Sequence, residues 1–123
     1  MSNLLGIWIF SAIFYQGQLM NPPNPHLHIF LTFQNESINE IYYYRDNETG
    51  FCRRTAEYKI ENGLMTQKVV WVDPDNQSEC ALDTDMQMNN ISTAPLWIEN
   101  EQLHLQLPLG EENIQYLFNR KSE

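Results

Sequence analysis

Apolar and polar residues alternate along most of this chain in short runs, and the runs are parted by clusters rich in Asn, Asp, Gly, Glu and Pro. A period of two is the mark of a strand with one buried face. The clearest pair is "FCRRTAEYKIE" and "LMTQKVVWV", joined by Asn62-Gly63, a dipeptide whose two residues accept the positive φ of a tight hairpin turn. Similar hairpins are predicted for "HLHIFLTFQ" and "INEIYYYRD" around Asn35-Glu36-Ser37, and for "LWIE" and "LHLQLPL" around Asn100-Glu101. Leu109-Gly110-Glu111-Glu112 then turns into "NIQYLFNRK". With the opening run "LLGIWIFSAIFY", residues 4–15, this makes eight strands in a meander. Such a meander has two open edges unless it closes, and closure gives an all-β, eight-stranded antiparallel up-and-down barrel.

Two connections are longer. "GQLMNPPNP" carries three prolines, which cannot donate to a ladder, and residues 73–95 form an Asp- and Asn-rich stretch with no sustained period. Long loops at one end of a sheet are where ligands and partners are met.

A chain of 123 residues fits a single domain, 1–123, and three Trp, six Tyr and six Phe favour strands over helices. The net charge of −9 makes nucleic acid and anionic membrane poor partners, since both need a positive footprint. The opening run is shorter than the roughly 20 residues of a transmembrane helix. It also lacks the basic flank and small-residue cleavage site of a signal peptide, so it is read as structure, any export signal being absent or already removed. Two cysteines, Cys52 and Cys80, form one disulfide or remain two thiols. A bridge across such a loop contributes about 3 kcal/mol and implies an oxidising compartment, the periplasm or the secreted state; free thiols imply the cytoplasm.

Gly6 and Trp8 at the start of the chain and Arg120 at its end resemble the signature of the calycins, the lipocalin and fatty-acid-binding group of barrels. In that group a Gly-x-Trp opens the first strand and an Arg of the last strand packs across the Trp. The resemblance implies a barrel floor closed by Gly6, Trp8 and Arg120, and a lumen for a small apolar ligand. The chain departs from the fatty-acid-binding branch, which inserts two short helices after the first strand and carries an Arg-x-Tyr carboxylate clamp on the last. Here a proline loop and the pair Tyr116 and Phe118 stand in those places.

Alternation puts Cys52, Arg54, Ala56, Tyr58 and Ile60 on one face. If that face is the lumen, Arg54 is an inward charge, and a buried guanidinium needs a carboxylate, a phosphate or several carbonyls. Two readings stay open: an internal salt bridge, or a ligand anchor with Tyr58, Leu105, Tyr116 and Phe118 around the ligand body. An eight-stranded lumen is just wide enough to be filled by side chains or to hold one small ligand. His26, His28 and His104 are read as exposed polar positions and not as a metal site, and the acidic loop lacks the spacing of a calcium-binding motif. No nucleophile elbow, phosphate loop or paired inward carboxylates is present, and no cofactor is expected. The chain therefore reads as a non-catalytic binding protein for a small apolar, potentially anionic ligand. The alternative is a solid barrel that binds another protein through its long loops, as a protease-inhibitor-like module does.

Overall fold

The computed structural model describes residues 2–121. Among these residues the strands are β1 (Gly6–Tyr15), β2 (Gln18–Met20), β3 (Leu27–Phe33), β4 (Ile38–Arg45), β5 (Cys52–Glu61), β6 (Leu64–Val72), β7 (Ile91–Glu99), β8 (Gln102–Leu109) and β9 (Glu112–Arg120). From β3 to β9 each strand pairs antiparallel with the next. β9 returns to β1, from Trp8 opposite Arg120 to Tyr15 opposite Ile114, while the other side of β1 pairs with β3. Eight strands thus close the barrel, as the meander requires.

The ninth strand, β2, hangs from β1 alone. Gln16 and Gly17 take φ of 50° and 77°, so the chain turns tightly and Met20 pairs with Ile13 before the prolines begin. This segment, expected from its prolines to be a plain loop, thus begins as a strand. The long loop is expected to run to residue 95, whereas β7 starts at Ile91 and pairs with Lys68. Small residues, Ser92 and Ala94, face in there, so the start of β7 has no contrast of hydrophobicity to reveal it.

Two irregularities aim side chains. A bulge between Phe10 and Ala12 lets Phe10 face Phe118 and Ile13 face Tyr116, where strict alternation from Trp8 turns Ala12 and Phe14 inward. Phe14 instead faces solvent. In "IYYYRD", Ile41 and Tyr43 pack inward, while Tyr42 and Tyr44 stack with Phe30 on the outer surface.

One end of the barrel is closed. Trp8 donates its indole N–H to the Leu4 carbonyl at 2.9 Å, and Arg120 lies over the indole and donates to the carbonyls of Leu5 and Asn3. Leu4, Phe33, Met65 and Leu103 fill the space above them. The other end receives the loop from β1 to β3 and the long loop from β6 to β7, and it is the barrel mouth. No helix among the described residues is long and apolar enough to cross a membrane.

Candidate functional site

The loop between β6 and β7 lies across the mouth because it is tied down at several points. Asp73 forms an ion pair with Arg53 at 3.0 Å, and the Asn76 side chain makes two hydrogen bonds to the Arg53 backbone, at 2.8 and 3.1 Å. Two short 3-10 turns follow, Ser78–Leu82 and Thr84–Met86. Cys80 of the first turn is disulfide-bonded to Cys52 at the start of β5, with Cα atoms 5.6 Å apart. Met86 of the second is buried with this disulfide against Ile41 and Tyr43.

Between that loop and the far wall a cavity of about 300 Å³ remains. Its wall is carbon: Leu27 and Ile29 from β3, Leu105 and Leu107 from β8, Tyr116 and Phe118 from β9. Phe10 stacks on Tyr116 at 5.0 Å and holds that ring from behind. The loop side supplies Met86 and a polar margin of Tyr43, Arg45, Asp83 and Asp85. Larger hollows of about 690 and 680 Å³ lie on the outer face of β5 to β7 and beside the closed end; both are open to solvent and bordered by charged side chains.

Of the residues the sequence pointed to, Leu105, Tyr116 and Phe118 meet at this cavity. Tyr58 sits toward the closed end, edge-on to Phe33, with its hydroxyl donating to the Asn35 carbonyl at 2.6 Å. Arg54 is fully buried and does not line the cavity. Its Nη1 donates to Asn39 Oδ1 at 2.6 Å, its Nη2 to Gln67 Oε1 at 3.3 Å, and its Nε to the Asp85 carbonyl at 3.2 Å. Every one of these acceptors is neutral. Burial lowers the guanidinium pKa to about 10, and the carboxylates of Asp85, Asp83 and Glu40, acting at longer range, oppose that shift.

The loop carboxylates are used unequally. Asp83 accepts from the Tyr43 hydroxyl at 2.9 Å and from the Asp85 backbone N–H at 2.9 Å. Burial and this bond push the Tyr43 pKa up. The Asp85 carboxylate accepts no hydrogen bond from a described residue; burial raises its pKa, Arg54 lowers it and Asp83 adds to the rise.

Asn39 and Gln67, buried partners of Arg54, escaped the sequence reading although alternation places Asn39 with Ile41 and Gln67 with Met65 and Val69. Asp83, Asp85 and Met86 carry no periodic signal at all. Among the histidines, His26 and His28 lie by Asp46 at the surface. His104 departs from the exposed position expected of it: it is on the outer face but covered by Trp97, stacked at 5.1 Å, and hydrogen-bonded to Gln115. No group of three His, Cys, Asp or Glu that could hold a metal ion occurs among the described residues.

No family model matches the sequence, and no curated protein matches it. Among solved structures, a lipocalin-like protein from Bacteroides uniformis superposes with a TM-score of 0.62 at 13% identity, over 97% of this chain and 99% of that one. A Schistosoma mansoni fatty acid binding protein in complex with arachidonic acid gives a TM-score of 0.48 at 13% identity, over 99% and 98%. The chain has the calycin-like barrel fold that Gly6, Trp8 and Arg120 announce in its sequence.

Proposed function

We propose that this barrel is a non-catalytic binding protein for a small apolar molecule held at its mouth. The observation that carries the reading is the cavity of about 300 Å³ walled by Leu27, Ile29, Leu105, Leu107, Tyr116 and Phe118. Apolar space of this size is at the small end of the ligand pockets proteins use, and an apolar molecule entering it leaves water for carbon contacts. In this reading Leu105, Tyr116 and Phe118 contact the ligand body. Arg54 is a positioning residue, holding Asp85 and its turn against the barrel through the Asp85 carbonyl. The Cys52–Cys80 bridge fixes the opposite wall and supports an oxidising, periplasmic or extracellular setting.

The test is a titration of the whole protein with the uncharged fluorophore N-phenyl-1-naphthylamine, repeated on Leu107→Trp, which fills the cavity from β8. Saturable binding by the wild type that weakens by about tenfold or more in Leu107→Trp supports the reading. A wild type that shows no saturable binding overturns it and favours a protein-interaction module working through the loops.

A further inference from the structure

The inward arginine invites an anionic ligand, and the placement of its donors argues the reverse. Resting on the cavity reading above, we infer that the ligand carries a protonated amine on its apolar body, with the Asp85 carboxylate as the group that receives it. The argument is one of donors and acceptors. Arg54 has no exposed surface, lies outside the cavity lining, and spends its Nε, Nη1 and Nη2 on Asp85, Asn39 and Gln67. Arg45 does reach the margin, but it also borders an outer hollow with Gln77 and Glu79.

Apart from Arg45, what the polar margin presents is acceptor oxygen. The Tyr43 hydroxyl directs its proton to Asp83, so its free lone pairs, not its O–H, are available. Asp83 already accepts at both oxygens. Asp85 accepts nothing from the described residues, though its backbone is fixed at both ends, N–H to Asp83 and carbonyl to Arg54. A partly desolvated carboxylate with empty acceptor sites is completed by an N–H donor bearing positive charge, through charge-assisted hydrogen bonds. A carboxylate head at the same place meets the like charges of Asp83 and Asp85. The upward pKa of Asp85, caused first by burial and partly offset by Arg54, agrees with a partly desolvated acid.

Three probes that differ only in the head group test this: decylamine, 1-decanol and decanoate, titrated by calorimetry into the full chain near neutral pH and below their micellar concentrations. Decylamine is expected to bind about tenfold tighter than 1-decanol, and 1-decanol tighter than decanoate. In Asp85→Asn the ratio of amine to alcohol affinity should fall to within about twofold, with the fold checked by circular dichroism. Decanoate binding as tightly as decylamine, or an amine preference that survives Asp85→Asn, overturns the inference. If that variant does not fold, the wild-type ranking of the three probes decides alone. Should the naphthylamine probe bind while amine and alcohol bind alike, the inference falls and the cavity reading stands. Failure of all four compounds to bind removes the cavity reading and this inference with it.

Discussion

The Arg120 guanidinium lies 4.2 Å above the centroid of the Trp8 ring, so the last strand covers the residue that closes the first. Trp8 is 1% exposed and bonded through its indole N–H to Leu4, which leaves no direction in which the site can collapse. Trp8→Ala is therefore expected to cost about 3–5 kcal/mol, as large truncations in a core do. Urea unfolding followed by circular dichroism measures it. A cost near zero means that Trp8 is not the floor.

Gly6 belongs to the same arrangement. Its φ is +120°, and a Cβ built there comes within 3.0 Å of Arg120 Nη1. Gly6→Ala meets both the backbone strain and the guanidinium, a loss of about 1–3 kcal/mol. Combining it with Arg120→Met removes the contact but not the strain, so the double variant should lose less than the two single losses added. Strict additivity of the two changes in thermal or urea unfolding excludes the contact.

The Cys52–Cys80 bridge spans 28 residues of sequence and holds the loop that walls the cavity. Replacing both cysteines by Ala should reduce stability by about 3–4 kcal/mol, chiefly by freeing the unfolded chain. It should also increase amide hydrogen exchange in residues 78–86 more than in β8 and β9, because Met86 and the turns lose their anchor. Uniform loss of protection across the barrel contradicts the local role given to the bridge.

How far the sequence carried this picture depends on whether a residue sits in a periodic segment. Asn62-Gly63 sets its hairpin through its own φ preferences, whereas Asn100-Glu101 makes the same kind of turn with φ of 54° and 66° although Glu101 has no preference for positive φ; Glu61 pairs with Leu64 and Glu99 with Gln102 as such turns require. The inward positions of Cys52, Arg54, Ala56 and Tyr58 follow from alternation alone. Two faces were harder. The bulge at Ser11 changes the parity of β1, which no count of two can anticipate, and it decides that Ile13 shares a face with Tyr116. The loop side of the cavity comes from Asp83, Asp85 and Met86, whose place is fixed by a distant disulfide, an ion pair and side-chain hydrogen bonds to β4 and β5. Those are tertiary constraints, and local pattern is silent about them.

Arg54, Asn39 and Gln67 form a buried polar cluster in an otherwise apolar barrel, with Asn39 also donating to Gln67 at 3.0 Å. Such a cluster costs most when it is half removed. Arg54→Met takes the donor away from Asn39 Oδ1 and leaves a buried acceptor unsatisfied, for an expected loss of about 1–3 kcal/mol. Converting all three residues, as Arg54→Met with Asn39→Leu and Gln67→Met, removes the stranded amides and should recover most of that stability. A triple variant weaker than the single variant in chemical denaturation contradicts this account.

The carboxyl of Asp85 has its pKa raised in the folded protein, with burial as the main cause. A raised carboxyl pKa means that the folded state holds its proton more tightly than the unfolded state does. The resulting stability is complete below the unfolded value, 3.8, and is lost as pH rises through the higher folded value. At neutral pH the ionised group therefore opposes folding. Asp85→Asn, which keeps the shape and removes the charge, should be more stable than the wild type at neutral pH. Its advantage should shrink as pH falls through the folded pKa and vanish below the unfolded one, when both proteins carry a neutral side chain there. Paired urea titrations of the two proteins from neutral to acidic pH give this difference directly, and an advantage that grows on acidification contradicts the assignment of Asp85 as a desolvated acid. Adding decylamine to the neutral-pH measurement should narrow the same gap from the other side, since a bound ammonium stabilises the ionised form and has no counterpart in Asp85→Asn.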